Sequence, residues 1–290
     1  PPNALMEQRT ASEAPAPDDS NAEDEWPSGE REWSFRDGRL VVKAYEDFVA
    51  AAIGGVVTAA SGELARFAAE AVPEGHWVGR RCVELGAGCG LVSSTLMQLG
   101  ARVIATDLEP FIDHLQSNIR LNVPPEEHAG SCSCRTFDWG DADMRRQLRD
   151  ELGESGAEAV FAANCIYDHE VIPLFIEAIA ATAGSSTLVF MCGVPQPPAN
   201  PSGEDLDRAT VPSLLDDFLE AAPLRFDCHF LLPAREGAVS TAAPTSPVGG
   251  LAARLAAQHG LPVAALADGI WLLMPRGAAP PEWARPVLRL

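Results

Sequence analysis

Apolar and polar positions between residues 81 and 192 repeat with two alternating periods, which predicts strands and helices in turn. Short apolar runs of strand length occur at 81–85, 102–107, 133–137, 159–163 and 187–192. Segments with helical spacing or helix-compatible composition separate them, at 91–99, 110–122, 141–152 and 171–181. Strands that alternate with helices are typical of a parallel sheet covered on both faces. The pattern therefore predicts a doubly wound α/β domain.

Further patterns flank this series. Residues 33–46 alternate around Asp37-Gly38, a dipeptide that favours a hairpin turn, and residues 56–72 have helical spacing. Near the end, 213–222 predicts a helix, and 226–232 and 269–274 predict two last strands. The whole indicates a Rossmann-like sheet of seven strands with an antiparallel edge hairpin, preceded by an N-terminal β-hairpin. We expect the stretch 233–268, partly helical at 251–258, to form a flap on the substrate side.

The first 32 residues have a different composition from the rest of the chain. They are rich in proline and carry nine acidic residues against Arg9 and Arg31. Such a segment buries too little apolar area to offset the entropy of ordering it. We expect a disordered acidic tail over 1–32 and one domain over 33–290.

Charge and cysteine usage exclude several classes of partner. The formal net charge is −20 and Lys43 is the single lysine, so no basic stripe suits a nucleic acid. No apolar run has the length of a membrane span. Seven cysteines are scattered, and Cys132-x-Cys134 lacks the further ligands of a zinc site. We expect a monomer with reduced thiols and no metal, in the cytoplasm or nucleus.

A glycine-rich turn after the first core strand indicates a cofactor site. Gly86, Gly88 and Gly90 form GxGxG, with Glu84 two residues before them. The dinucleotide fingerprint GxGxxG would place its third small residue at Leu91, which is too bulky for that contact. Glycine at these positions permits positive φ and close approach of the backbone to a ligand. The spacing favours S-adenosylmethionine over NAD.

Asp107 ends the next predicted strand, 21 residues after Gly86. A carboxylate there can accept hydrogen bonds from both hydroxyls of a ribose. We include its neighbour Leu108 in the predicted cofactor site, together with Glu84 and Gly90.

Four segments carry a resemblance to a known family. They are 83–107 (VELGAGCGLVSSTLMQLGARVIATD), 114–125 (HLQSNIRLNVPP), 137–141 (FDWGD) and 164–179 (NCIYDHEVIPLFIEAI). The chain resembles the lysine methyltransferase-like family of seven-strand S-adenosylmethionine enzymes, which modify lysines of non-histone proteins. The Asp-Trp-Gly and Tyr-Asp segments narrow the resemblance to this family, since most related methyltransferases share the glycine motif.

The resemblance implies a role for each matching residue. Around the cofactor these are Gly86, Ala87 and Gly88 at its methionine end, Asp107 at the ribose, Asp138 and Trp139 at the adenine, and Ala163 and Asn164 beside the sulfonium. Tyr167 would shape the lysine channel, and Asn164 and Tyr167 are the predicted catalytic pair. From the residues alone, Trp139 also fits a core aromatic, and Tyr167 a strand-end residue with a satisfied hydroxyl.

Two positions depart from the family pattern. Asn164 stands where the family has aspartate, and an amide can neither carry negative charge nor take a proton. Val57 stands where the family has a tryptophan that contacts the cofactor. Methyl transfer to lysine of an unidentified protein remains the first hypothesis. The alternatives are a small-molecule or histidine/amide N-methyltransferase, and an inactive binding protein. His169 lies near the predicted site, and we interpret it as a solvated loop residue.

Overall fold

A computed structural model describes residues 28–48, 52–123, 130–194, 213–232, 250–261, 263–284, 286 and 288–290. Within these ranges a mixed sheet of eight strands is flanked by helices, and a separate two-stranded hairpin packs beside it. This arrangement confirms the predicted α/β class.

The described strands and helices follow one another in the predicted order. The strands are β1 Ser28–Phe35, β2 Leu40–Asp47, β3 Arg81–Leu85, β4 Arg102–Asp107, β5 Ser131–Thr136, β6 Ala157–Ala163, β7 Ala183–Cys192, β8 Phe226–Leu232, β9 Ile270–Pro275 and β10 Leu288–Arg289. The helices are α1 Ala59–Arg66, α2 Leu91–Gln98, α3 Ile112–Arg120, α4 Ala142–Leu152, α5 Val171–Thr182, α6 Leu214–Ala221, α7 Leu251–His259 and α8 Val263–Asp268. A π-helical turn, Phe67–Ala71, continues α1.

The sheet has the strand order β10-β8-β9-β7-β6-β3-β4-β5. Strands β5, β4, β3, β6 and β7 are parallel, and β9 runs antiparallel to both β7 and β8. The Rossmann-like sheet with its antiparallel edge is therefore confirmed. The structure adds β10 beside β8, a pairing of two residues that is too short to give a sequence pattern.

Alternation along the central strands places successive side chains in two cores. In β6, Val160 belongs to the core on the side of α5, whereas Phe161 belongs to the core on the side of α1. Both are fully buried, as expected for a strand covered on both faces. This burial holds the carboxyl ends of the parallel strands, where the predicted site residues lie, in a fixed array.

Several strand boundaries differ from the prediction. β3 and β4 agree with it residue for residue, whereas β7 begins at Ala183 rather than at 187 and β5 spans Ser131–Thr136 rather than 133–137. The first residues of β7 include Gly184, Ser185 and Ser186, which have low strand propensity. The pairing Ala157↔Ala183 nevertheless extends the ladder before a register shift.

The N-terminal hairpin begins at Ser28, five residues before the predicted start. Its extra residues pair with the end of β2, and Glu30 and Glu32 each lie 3.0 Å from Nζ of Lys43. Two acidic residues that the composition grouped with the tail are thus cross-strand partners of the chain's single lysine. The rest of the predicted tail, 1–27, lies outside the described residues.

Two asparagines, one in α3 and one just after it, join the hairpin to the main body. Asn118 Oδ1 accepts the backbone N–H of Tyr45 (2.7 Å) and its Nδ2 donates to the Tyr45 carbonyl (3.1 Å). Asn122, just after α3, makes the same pair of bonds with Lys43, at 2.8 and 2.7 Å. Four bonds therefore pair one edge of β2 with side chains instead of a third strand.

We expect replacement of Asn118 or Asn122 by alanine to loosen this hairpin. Each change leaves a backbone N–H and a C=O of β2 without their hydrogen-bond partner. This lowers the free energy of unfolding by about 2 kcal/mol. Hydrogen exchange at the Tyr45 amide should accelerate in Asn118→Ala and at the Lys43 amide in Asn122→Ala. Ser117→Ala, an exposed position on the same helix, is the matched control. Unchanged exchange rates at both amides would show that Asn118 and Asn122 do not hold β2.

Candidate active site

The loop between β3 and α2 depends on glycine at two positions. Gly86 and Gly90 have φ of +65° and +72°. A Cβ would lie 2.9 Å from Cys165 Sγ at Gly86 and 2.6 Å from Leu115 Cδ1 at Gly90. The loop is thus packed from both sides, and side chains at these positions would displace it.

Asp107 lies at the end of β4 and holds this loop against the neighbouring strand. Its Oδ2 accepts the N–H of Gly88 at 2.7 Å, and its Oδ1 accepts the N–H of Leu108 at 2.7 Å. Burial raises the pKa of the Asp107 carboxyl, while these two amides lower it. A carboxylate has about four acceptor sites, so roughly two remain for a ligand. Leu108 beside it is 41% exposed.

Glu84 lies beneath the loop rather than on its surface. It is 2% exposed, and its Oε2 accepts the Ser93 backbone N–H at 2.8 Å and the Ser93 hydroxyl. Ser93 belongs to the first turn of α2, so Glu84 ties β3 to the start of that helix. The described contacts of Glu84 are structural, and its part in cofactor binding stays a prediction.

Glu84 is expected to make the stability of the fold depend on pH. Burial raises its pKa from 4.5 to about 8, with Ser93 acting in the opposite direction. A carboxyl with a raised pKa contributes stability that is complete below about pH 4.5 and is lost as pH rises toward 8. We therefore expect wild type to lose stability relative to Glu84→Gln over this range, by up to ~1.4 kcal/mol per pH unit. Urea unfolding of both proteins at several pH values measures the difference. If the unfolding free energies of wild type and Glu84→Gln change equally with pH, the prediction is wrong.

Trp139 forms a wall beside the glycine loop. Its Cζ2 would lie 3.6 Å from a Cβ on Gly86, and its ring packs at 5.4 Å on Phe175 of α5. The ring is half-buried, and its packing on Phe175 fits the interpretation as a core aromatic. Its place beside an adenine stays a prediction. Asp138 is exposed and caps its own turn, accepting the Gly140 N–H at 2.8 Å.

The end of β6 carries a strained residue at the predicted catalytic position. Ala163 is buried, and Asn164 follows with φ +57°, in the left-handed region. The Asn164 N–H donates to the Cys192 carbonyl of β7 at 2.8 Å, which fixes this backbone turn. Asparagine and aspartate adopt the left-handed region more readily than other side chains. Asparagine in place of the family's aspartate therefore keeps the left-handed backbone conformation and removes the negative charge.

Tyr167 lies on the loop after Asn164 and is 63% exposed. Burial of part of its ring raises the pKa of its hydroxyl, so the group is a neutral donor at pH 7. Cys165, between the two, is buried, and its thiol donates to the Leu85 carbonyl at 3.1 Å. This bond joins the β6 loop to the end of β3.

Glu46 is a site-supporting residue that the sequence reasoning missed. It is 1% exposed, and its Oε1 accepts the Val57 N–H at 2.8 Å while its Oε2 pairs with Arg31 at 2.9 Å. The nearby turn Ala52–Gly55 contacts the glycine loop, since the Gly54 carbonyl would lie 3.1 Å from a Cβ on Gly88. The signal was available: Glu46 occupies a buried position in the alternation of β2.

The helices of the 233–268 stretch also lie at this edge of the sheet. β9 begins at Ile270 opposite Cys192, the last residue of β7, so α8 precedes it there. Asp216 of α6 accepts the Ala252 N–H of α7 at 2.6 Å and lies 2.7 Å from the Ser213 hydroxyl. The starts of α6 and α7 therefore meet near the carboxyl ends of the strands. Residues 233–249 are outside the described part of the chain.

A sequence model described as lysine methyltransferase matches residues 39–196, more than half of the chain. The chain belongs to this family. The matched range of this family member includes strand β2, the glycine loop, Asp107, Trp139, Asn164 and Tyr167. Among the residues that the structure describes, no helix combines the length and apolar character that crossing a membrane requires.

Curated relatives resemble part of the chain. The protein N-lysine methyltransferase METTL21A of Danio rerio is 28% identical over 39% of this chain and 49% of its own length. EEF1A lysine methyltransferase 3 of Xenopus tropicalis is 29% identical over 39% of this chain and 46% of its own length. Protein-lysine N-methyltransferase rrg1 of Schizosaccharomyces pombe is 36% identical over 30% of this chain and 29% of its own length. The matched region thus spans half or less of each of these relatives.

Proposed function

We propose that this chain is an S-adenosylmethionine-dependent methyltransferase that modifies a lysine side chain of another protein. Family membership and the protein-lysine methyltransferase names of the relatives support the reaction class. The single observation that carries the cofactor assignment is the position of the Asp107 carboxylate. It is half-buried, accepts the Gly88 N–H of the glycine loop, and has acceptor sites left for the hydroxyls of a ribose.

The residues around this carboxylate fit the rest of such a cofactor. Leu108, beside Asp107, and Trp139, beside Gly86, offer apolar surface for an adenine. The turn of Gly86 and Gly88 exposes backbone at the methionine end, and Asn164 lies at the neighbouring strand end. When bound, S-adenosylmethionine supplies an electrophilic methyl group.

The protein's own contribution is orientation and desolvation of the nucleophile. The backbone of Asn164 is held by its bond to Cys192, and its side-chain amide oxygen would accept a hydrogen bond from an amine bound at this strand end. Tyr167, which is exposed on the same loop, would add an aromatic face and a hydroxyl. Alignment of this kind supplies up to roughly 7–11 kcal/mol of a barrier. The proposal includes a monomeric enzyme of the cytoplasm or nucleus and an unidentified protein substrate.

A second candidate function is methyl transfer to a planar nitrogen, in a histidine, an amide or a small molecule. The uncharged Asn164 favours it, because an amide can pair with a neutral nitrogen without the charge that a cationic amine prefers. Activity on free small amines or on histidine-containing protein would distinguish it from lysine methylation.

Calorimetric titration of S-adenosylmethionine and S-adenosylhomocysteine into the purified chain tests the cofactor assignment. Micromolar binding is expected, followed by transfer of labelled methyl to lysine of a lysate protein, identified by mass spectrometry. Label on histidine would select the second candidate. Absence of binding at millimolar cofactor would overturn both and leave a methyltransferase fold that acts as a binding protein.

A further inference from the structure

His169 is paired with a carboxylate from another helix. Its Nδ1 lies 2.5 Å from Oδ2 of Asp217 in α6, and the two side chains are 42% and 36% exposed. When the neutral imidazole donates Nδ1–H to this carboxylate, Nε2 carries the lone pair. His169 is thus a solvent-exposed loop residue, as predicted, and this carboxylate holds its ring in addition.

The pair lies at the same edge of the sheet as the proposed site. His169 belongs to the loop that leaves β6 through Asn164 and Tyr167, and its carbonyl accepts the Ile172 N–H in the first turn of α5. α6 ends next to the start of β8, which is parallel to β7, so the first turn of α6 with Asp217 lies near the carboxyl ends of the strands. The bond thus joins the catalytic loop to the start of α6.

The proposed reaction needs a proton acceptor that the residues named above do not provide. A lysine side chain with an ordinary pKa of about 10.4 arrives as an ammonium, which has no lone pair for methyl transfer. Asn164 cannot take a proton, and the phenol of Tyr167 is a neutral donor. General bases work best when their pKa lies near the working pH, which favours an imidazole over a surface carboxylate.

We propose that His169, oriented by Asp217, accepts the proton of the substrate ammonium; this rests on the proposed function. An N–H bond of the ammonium breaks and the proton forms a bond to Nε2 of His169. The freed lone pair forms the new N–C bond while the C–S bond breaks and its electrons return to sulfur. Asp217 stabilises the imidazolium, which then releases its proton to solvent through its exposed side.

In its own turn, His169 lies between two acidic residues, Asp168 and Glu170. Asp168 Oδ1 accepts the Glu170 N–H at 2.9 Å, and Glu170 is exposed before α5. Among the described residues, the charged side chain that contacts the imidazole from a neighbouring element is Asp217 of α6. A glutamine at 169 can still donate to Asp217 but cannot take a proton, so it separates loop anchoring from proton transfer.

The first test needs no methyl transfer. Sinefungin carries an amine-bearing carbon in place of the methylsulfonium, whereas S-adenosylhomocysteine is uncharged there. If Nε2 of His169 faces the reacting nitrogen, it should accept a hydrogen bond from this amine. The affinity ratio of sinefungin to S-adenosylhomocysteine is then expected to be about fivefold higher in wild type than in His169→Ala. Equal ratios in the two proteins would overturn the assignment.

The second test uses the substrate protein identified by the labelled-methyl screen. His169→Gln should lose about 30-fold in kcat near pH 7 and recover as pH approaches the ordinary pKa of the amine, with KM and cofactor affinity unchanged. Asp217→Asn should show a smaller loss of the same kind, and His259→Gln, an exposed histidine of α7, none.

The outcomes separate this inference from the proposed function. A His169→Gln enzyme with the wild-type pH profile, beside an inactive His169→Ala, would reduce the pair to a loop anchor and overturn the proton-transfer role. A wild type that binds cofactor and methylates no amine at any pH would overturn both the function and the role. Failure of the function is read from wild type alone, and failure of the inference from the variants.

Discussion

Asp107→Ala is expected to weaken S-adenosylmethionine binding about 100-fold. Two charge-assisted hydrogen bonds to the ribose are lost, worth about 3 kcal/mol together, which corresponds to this factor. The variant also removes the acceptor of the Gly88 and Leu108 amides, so the glycine loop loses its tie to β4. Calorimetry with S-adenosylmethionine measures the change.

Two companion variants make the Asp107 result interpretable. Asp107→Asn keeps one acceptor oxygen and should fall between wild type and alanine. Asp150→Ala removes an exposed carboxylate from α4 and should bind as wild type does. If Asp107→Ala binds within threefold of wild type, roughly 0.7 kcal/mol, the carboxylate does not hold the ribose and the cofactor assignment fails.

Asn164→Gly is expected to reduce methyl transfer about 30-fold with little change in cofactor affinity. The loss corresponds to one hydrogen bond to a charged amine, about 2 kcal/mol. Glycine suits the φ of +57° at this position, so the variant removes the amide without straining the backbone. Single-turnover transfer of labelled methyl to the identified substrate measures the effect.

Two further variants at position 164 separate charge from conformation. Asn164→Ala should add about 1 kcal/mol of destabilisation, because alanine disfavours the left-handed region. Asn164→Asp restores the negative charge and should raise the rate on a lysine substrate but not on a planar nitrogen. A slower Asn164→Asp enzyme on lysine would count against lysine as the target and in favour of the second candidate.

The sequence predicted the central elements well because their patterns are local. β3 and β4 are buried apolar runs that end at the glycine turn and at Asp107, and both were placed to the residue. α2 ends as predicted near Gly100, whose φ is +92°. Where one strand and its turn contain the whole signal, the sequence suffices.

The features that were missed depend on contacts between distant segments. Glu46 reaches Val57 and Arg31, Asn118 and Asn122 reach β2, and His169 reaches Asp217. The sequence gives no register between these segments, so their chemistry cannot be read from spacing. Glu84 shows the converse: its position in the motif was evident, but only the fold reveals that it points beneath the loop toward Ser93.

Lys43 offers a use of the hairpin that goes beyond its architecture. It is the single lysine of the chain, is 40% exposed and lies on β2 directly beside the Asn122 clamp. Apart from the α-amino group, an amine-reactive fluorophore would therefore attach here alone. Methyl label found elsewhere on lysine in a reaction mixture would belong to the substrate rather than to the enzyme.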